Sequence, residues 1–414
     1  MRRILCMLAV GAGAALLSCS SPEPIGIQAL ETAAGNNGKQ VVVSPSAATL
    51  APGETQQFSA QLLEDGKQKK AAFVWSSSDI TVATVSSAGL VTAVAPGEAT
   101  ITARASQTLS GTAQVTVQGG PPSVVSHILL GGRPFGSTVS SSDTAWVGQV
   151  DAGTAQRLDV AAAQFTGSAP TGASGTLPVQ LYPNAAGSKV YVASFGGMVA
   201  SISTSGLTIV DSVRFQGDGY GVTATPAGDT VFVGITDGPI YKIDLAGRTI
   251  LNTLTGLPTA AGYHFEWNQA RTLLYASARG FDGGRVFEID PNALQVVRTF
   301  NTGGSPQGIA LSSDGSKLFI AAEAGNVIVW DVAANAQAGT ITTGCQGYGI
   351  LRTPDNTRLF VSCALNGLVV VVNPTTGAMI ATLNVGGSPR ELSFDARTHS
   401  VIVPNEGGWV DIIR

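Results

Sequence analysis

The chain has 414 residues, 44% of them hydrophobic and 12% charged, with 51 glycines and a formal net charge of −4. Loss of Arg2 and Arg3 with an N-terminal leader takes the basic side chains from 23 to 21 against 27 acidic ones, which leaves no basic surface for nucleic acid. Beyond the leader no apolar run approaches 18 residues, which excludes a second helical membrane segment, and the short apolar runs bounded by Gly, Asp, Asn and Pro read as buried strands.

Arg2 and Arg3 form a basic start, and residues 4–17 an apolar segment too short for a stable span. Leu16-Leu17-Ser18-Cys19 resembles a bacterial lipobox, which implies a signal peptide over 1–18 and a lipid on Cys19 that makes the membrane a partner. Ser20 at the next position resembles Gram-negative lipoproteins sent to the outer membrane, so the expected location is the cell envelope, on the periplasmic face or at the cell surface. Residues 19–40 have little apolar content and read as a flexible tether with a span of roughly 25 Å.

Residues 41–118 hold strand and turn units at short spacing, among them Val41-Val42-Val43-Ser44-Pro45, Phe73-Val74-Trp75-Ser76 and Gly97-Glu98-Ala99-Thr100-Ile101-Thr102. They predict a small antiparallel sandwich with Trp75 buried. The order of these motifs is similar to the bacterial immunoglobulin-like domain of group 2, which implies a spacer. Gly119-Gly120-Pro121-Pro122-Ser123 marks a linker.

From residue 124 onward one phrase recurs seven times, anchored at Trp146-Val147, Tyr191-Val192, Phe232-Val233, Tyr275-Ala276, Phe319-Ile320, Phe360-Val361 and Ile402-Val403. A second anchor follows each, as in Lys242-Ile243-Asp244 and Glu288-Ile289-Asp290. About 40 residues per copy suits four short strands that cannot bury their faces alone, and radial stacking of such units gives a seven-bladed β-propeller. The last copy stops after its third strand, while residues 124–130 (VVSHILL) look like a fourth strand; the N-terminal strand is therefore expected to complete the last blade and remove a sheet edge. The segment 303–322 (GGSPQGIALSSDGSKLFIAA) resembles the YVTN-type propeller repeat of surface-layer and periplasmic bacterial proteins, and the resemblance covers 124–414. That group mixes binding, scaffold and occasional enzyme proteins, so it implies fold more than chemistry. The fold class expected is all-β, an immunoglobulin-like sandwich followed by a seven-bladed propeller.

Serine-elbow, phosphate-loop, haem-attachment and His-Glu-x-x-His motifs are absent. His127, His264 and His399 fall on an outer strand, near the start of an inner strand, and in a loop at its opposite end, so they do not converge on a metal. Asp229, Asp314 and Asp355 recur in hairpins, and Asp244, Asp290 and Asp331 at third-strand ends, where Asp serves turns. Cys345 and Cys363 flank one hairpin of the sixth copy and predict a cross-strand disulfide in an oxidising envelope.

Positions that break the repeat carry the functional signal. Aligned copies put Phe135, Val179, Tyr220, Tyr263, Gln307, Tyr348 and Arg390 at one place each around the channel mouth. Tyrosines there supply apolar area with a hydroxyl, and Arg390 a fork for carboxylate or phosphate, with Glu391 beside it as a neutralising group. The same residues could instead plug the channel. The loop 277–285 adds Arg279, Phe281, Asp282 and Arg285, and His264 lies next to the ring. The reading is a lipid-anchored, monomeric envelope protein whose propeller binds a protein, peptide, glycan or small molecule, with no cofactor or metal expected. The alternative is a propeller lyase, hydrolase or quinone-type oxidoreductase.

Overall fold

The structure, a computed structural model, describes residues 38–140, 144–172, 175–228, 230–257, 263–280 and 283–414. Every regular element among them is a β-strand. Cys19, Asp229, Phe281 and Asp282 lie outside the described residues.

The N-terminal part is a sandwich of three small sheets. Lys39–Ser44 pairs antiparallel with Ser59–Glu64, Ala47–Leu50 runs parallel to Leu109–Val117, and Thr55–Gln57 pairs with Leu90–Ala93. In Gly97–Ser106 every second side chain points inward: Ala99, Ile101 and Ala103 are buried, while Thr100 and Thr102 between them are partly open to solvent. The centre is Phe58, with Val91, Ile101 and Val115 around it. Trp75 is a correction to the sequence reading. It sits on Val74–Ser77 at the edge of its sheet and packs on the core only partly buried, because an edge strand has no neighbour to cover a large ring. Its indole lies over Gly89, where φ is +80° and a Cβ would come within 2.9 Å of the ring.

Seven four-stranded antiparallel sheets follow, each ordered outward from the axis. Blade five, for example, is Pro306–Leu311, Lys317–Ala322, Asn326–Asp331 and Ala336–Thr342. The anchor dipeptides sit on second strands, which other blades cover on both faces. Phe319 and Ala321 therefore join a core with Leu359 and Val361 of blade six, while Leu318 and Ile320 join Tyr275 and Phe300 of blade four. Outermost strands have no such cover, and Met379–Asn384 alternates exposed and partly buried residues.

Blade seven is Ser393–Asp395, Ser400–Asn405 and Trp409–Ile413, with Val124–Leu129 as its outermost strand. The ring is thus closed by the N-terminal strand of the propeller. Its register places His127 opposite Asp411. Asp411 is buried, which pushes its carboxyl above the ordinary range, and bonds from His127 Nδ1 at 2.8 Å and Trp409 Nε1 at 2.9 Å oppose that shift.

The recurring acids are turn residues. Asp159, Ser203, Asp244, Asp290, Asp331 and Asn373 each accept the backbone N–H three positions on. The residue after that one has positive φ in each turn, from Ala163 to Gly377. Asp314 likewise binds Ser312 and Ser316, which hold its carboxyl down at about 2. Cys345 and Cys363, both buried, form a disulfide with Cα atoms 5.7 Å apart.

Candidate functional site

The first strands line the axis, and a backbone detail decides which side chains reach it. In blades one, two, three and five the start of the first strand carries a β-bulge, between Pro134 and Ser137, Pro178 and Gln180, Gly219 and Gly221, and Pro306 and Ile309. A bulge turns a side chain out of strict alternation, here toward the axis. Blade four has none: Tyr263, His264 and Phe265 pair in unbroken register with Ala278, Ser277 and Ala276. Tyr263 therefore shares a face with Phe265 and packs against blade three, wholly buried, with its hydroxyl donating to Gly238 O at 3.0 Å. It is not a member of the channel ring. His264 takes its place.

Four rings then close a cycle across the axis. Phe135 meets Tyr220 at 6.1 Å, Tyr220 meets His264 at 5.6 Å, His264 meets Tyr348 at 5.6 Å and Tyr348 meets Phe135 at 6.0 Å, all edge to face. All four are buried. Burial, and after it Glu391, hold the Tyr220 phenol well above its ordinary pKa. Arg390 caps the cycle, its Cζ 5.1 Å from the Phe135 centroid and 4.6 Å from that of Tyr348, while its Nη2 donates to Glu406 Oε2 at 2.6 Å.

The aromatic cluster is thus a plug, and the fork of Arg390 is already engaged by Glu406, not Glu391. Gln307 donates to Glu323 at 2.8 Å, and Arg279 stands 2.9 Å from the same carboxylate. Val179 is fully buried. Arg285, expected on the loop beside the ring, begins a third strand and donates to Asn301 at 3.2 Å.

Beneath the plug is a column that the sequence reading missed. One residue past the ring, the seven copies carry Gly136, Gln180, Gly221, His264, Gly308, Gly349 and Glu391. The four glycines are needed for close approach of adjacent first strands: a Cβ would lie 2.1 Å from Val179 O at Gly136 and 2.2 Å from Tyr263 O at Gly221. The other three positions hold side chains that meet. Gln180 Nε2 is 3.3 Å from His264 Nδ1, and Glu391 Oε1 is 2.9 Å from that nitrogen. Departures from a glycine column at equivalent positions were the available signal.

This triad lies at the inner end of an axial cavity of about 540 Å³. The cavity lining runs from the triad along the first strands, past the hydrogen-bonded hydroxyls of Ser137 and Ser393 at 2.8 Å, to Arg271 in the hairpin of blade four. Arg271 donates to the Tyr182 hydroxyl at 3.2 Å there. Glu266 also faces the cavity. Burial pushes its carboxyl up to about 7, against a bond from Leu311 N at 3.3 Å and the charges of Arg352 and Arg271.

A carboxyl raised in the folded state favours folding at low pH, and that contribution fades as pH rises through about 7. Glu266→Gln is therefore expected to stabilise the protein at pH 8 by about 2 kcal/mol and by little at pH 4. Denaturant melts of both forms at the two pH values check this; a difference independent of pH contradicts it. Among the described residues no group of three or more His, Cys, Asp or Glu is placed to hold a metal ion. His127 is on the closing strand and His399 in a turn beside Phe394.

Comparison with known proteins fits this division of the chain. Residues 38–118 match the bacterial Ig-like domain (group 2). The uncharacterized protein YncE of Salmonella typhi is 26% identical to this chain over 137 residues, 32% of this chain and 38% of that protein. YncE of Salmonella typhimurium matches to the same extent. The aligned segment thus spans well under half of these relatives. Among solved structures, Kuenenia stuttgartiensis hydrazine synthase superposes with a TM-score of 0.61 at 15% identity, covering 69% of this chain and 96% of that one. A chain of the mitotic checkpoint complex gives 0.62 at 11% identity, covering 70% and 91%. At such identities the likeness concerns fold alone.

Proposed function

We propose that this is a lipid-anchored binding protein of the bacterial cell envelope, with the propeller as its ligand-bearing part and the Ig-like domain as a spacer above the membrane. The observation that carries the reading is the axial cavity: a plugged channel leaves one enclosed end, and at that end three copies replace glycine with polar groups that meet. A repeat kept only for packing has no need of such departures. A buried histidine and glutamine beside a half-buried glutamate are also costly to keep, which supports a role beyond stability.

The test is retention. Protein isolated from its own envelope is expected to carry a small molecule detectable by native mass spectrometry, and Thr138→Trp, which fills the cavity, to lack it; equal retention by both forms removes the cavity from consideration. For the anchor, Cys19→Ala should move the protein to the soluble envelope fraction or leave the leader uncleaved, since lipid chains provide stable attachment. Unchanged membrane partitioning of that variant contradicts lipidation.

A second reading has one observation in its favour. Glu266, with a carboxyl raised to about 7, shares the cavity with the His264 and Glu391 pair, an arrangement also suited to proton transfer in a hydrolase or lyase. Turnover of the retained molecule that Glu266→Gln abolishes, with binding intact, would favour the enzyme.

A further inference from the structure

We propose that the axial cavity takes a small organic cation, with a primary ammonium head on the Gln180, His264 and Glu391 triad. This rests on the reading of the cavity as the ligand site and goes on to name the ligand's chemistry.

Two observations point to a cation. The first is the charge at the enclosed end. Glu391 is there and Glu266 further out, whereas the guanidinium that lines the cavity, Arg271, stands at the hairpin end and is bonded to Tyr182. Arg390 is in the cap over the aromatic plug, paired with Glu406. An anion at the triad would face a carboxylate, with no Lys or Arg of the described lining beside it to receive it.

The second is unmet hydrogen bonding. His264 is 5% exposed, yet its Nε2 has no hydrogen-bond partner among the described residues, and Glu391 Oε1 makes none of good geometry despite its 2.9 Å approach to the imidazole. Buried polar atoms are rarely left so without a missing partner. A carboxylate accepts and never donates, so the missing partner of Glu391 Oε1 is a donor. An ammonium supplies three N–H donors and the charge that strengthens bonds to a carboxylate.

Between triad and mouth the cavity lining is mixed, with Ser137, Ser393, Tyr182 and Arg271 beside Leu181 and Leu392, so the wall itself does not select the ligand's body.

The experiment compares three probes of one shape, n-butylammonium, n-butanol and butyrate, by calorimetric titration of the full-length protein in detergent at pH 7. Butylammonium is expected to bind about tenfold or more tightly than butanol, and butyrate not to bind measurably. Glu391→Gln should weaken butylammonium by about tenfold while the circular dichroism spectrum is kept. Should that variant misfold, histidine-labelled wild-type protein gives the same answer by NMR: the His264 ring signals shift with butylammonium while those of His127 and His399 stay. Equal binding of butanol or butyrate, no binding of butylammonium at tens of millimolar, or an unmoved His264 signal overturns the inference. If the retained native molecule then proves neutral or anionic and still sits in the cavity, the ligand class is wrong while the site stands.

Discussion

Deleting Val124–Leu129 is expected to unfold or aggregate the propeller, lowering its apparent melting midpoint by about 10 °C or more. Without that strand Trp409–Ile413 becomes an open sheet edge, and the bond from His127 to buried Asp411 is lost. Asp411 keeps only the bond from Trp409 Nε1, and the whole ladder to the closing strand is lost with it. Further contacts at the same seam, Ser123 N to Arg414 O at 2.7 Å and Leu130 N to Gly408 O at 2.9 Å, tie the first residues of the propeller to its last. Removal of residues 38–118 instead should leave the midpoint within a few degrees, because the sandwich has its own core. Equal midpoints for the two truncations would mean that the ring does not depend on this strand.

Arg298→Ala is expected to cost about 3–5 kcal/mol, measured by denaturant unfolding. Glu288 is nearly inaccessible on a third strand of blade four, and Arg298 holds both its oxygens, with Nε to Oε2 at 2.6 Å and Nη2 to Oε1 at 2.9 Å. Tyr275 donates to the same carboxylate at 3.1 Å, and the remaining arm of Arg298 reaches Val332 O of blade five at 2.7 Å. Truncating the arginine leaves the carboxylate buried without a counter-charge and unlinks two blades. Replacing both members by apolar residues, Glu288→Leu with Arg298→Met, should cost much less than the single change, since the desolvation of both charges is then removed. A single variant that loses under about 1 kcal/mol contradicts this account.

Much of the fold was legible because its physical cause is periodic. Paired anchors such as Phe319-Ile320 recur because each second strand is covered on both faces, and turn acids such as Asp244 and Asp290 recur because each hairpin needs the same backbone bonds. Even closure could be read, since residues 124–129 have the pattern of an outer strand with no third strand before it.

The site was less legible, because its determinants are the exceptions. The ring position was found by alignment, but the missing bulge in blade four, which sends Tyr263 into the core and His264 to the axis, is a backbone irregularity with no residue signature. Arg390 precedes the first strand of blade seven and Glu406 lies 16 positions on, in the turn after the second, so their pairing depends on how the two loops meet. Trp75 looked central as a large apolar residue, yet edge placement leaves it partly open. The glycine column with Gln180, His264 and Glu391 stood in the sequence throughout, but its meaning comes from the close approach of first strands, which only the assembled ring displays.

The most direct measurement is a crystal structure of the protein isolated from its envelope with the retained molecule in place. The account predicts that molecule inside the axial cavity, its polar head within hydrogen-bonding distance of His264 and Glu391, with the rings of Phe135, Tyr220 and Tyr348 unmoved above it. A molecule seated instead on the cap formed by Arg390 and Glu406, or along the outer strands, with only water in the cavity, would contradict it.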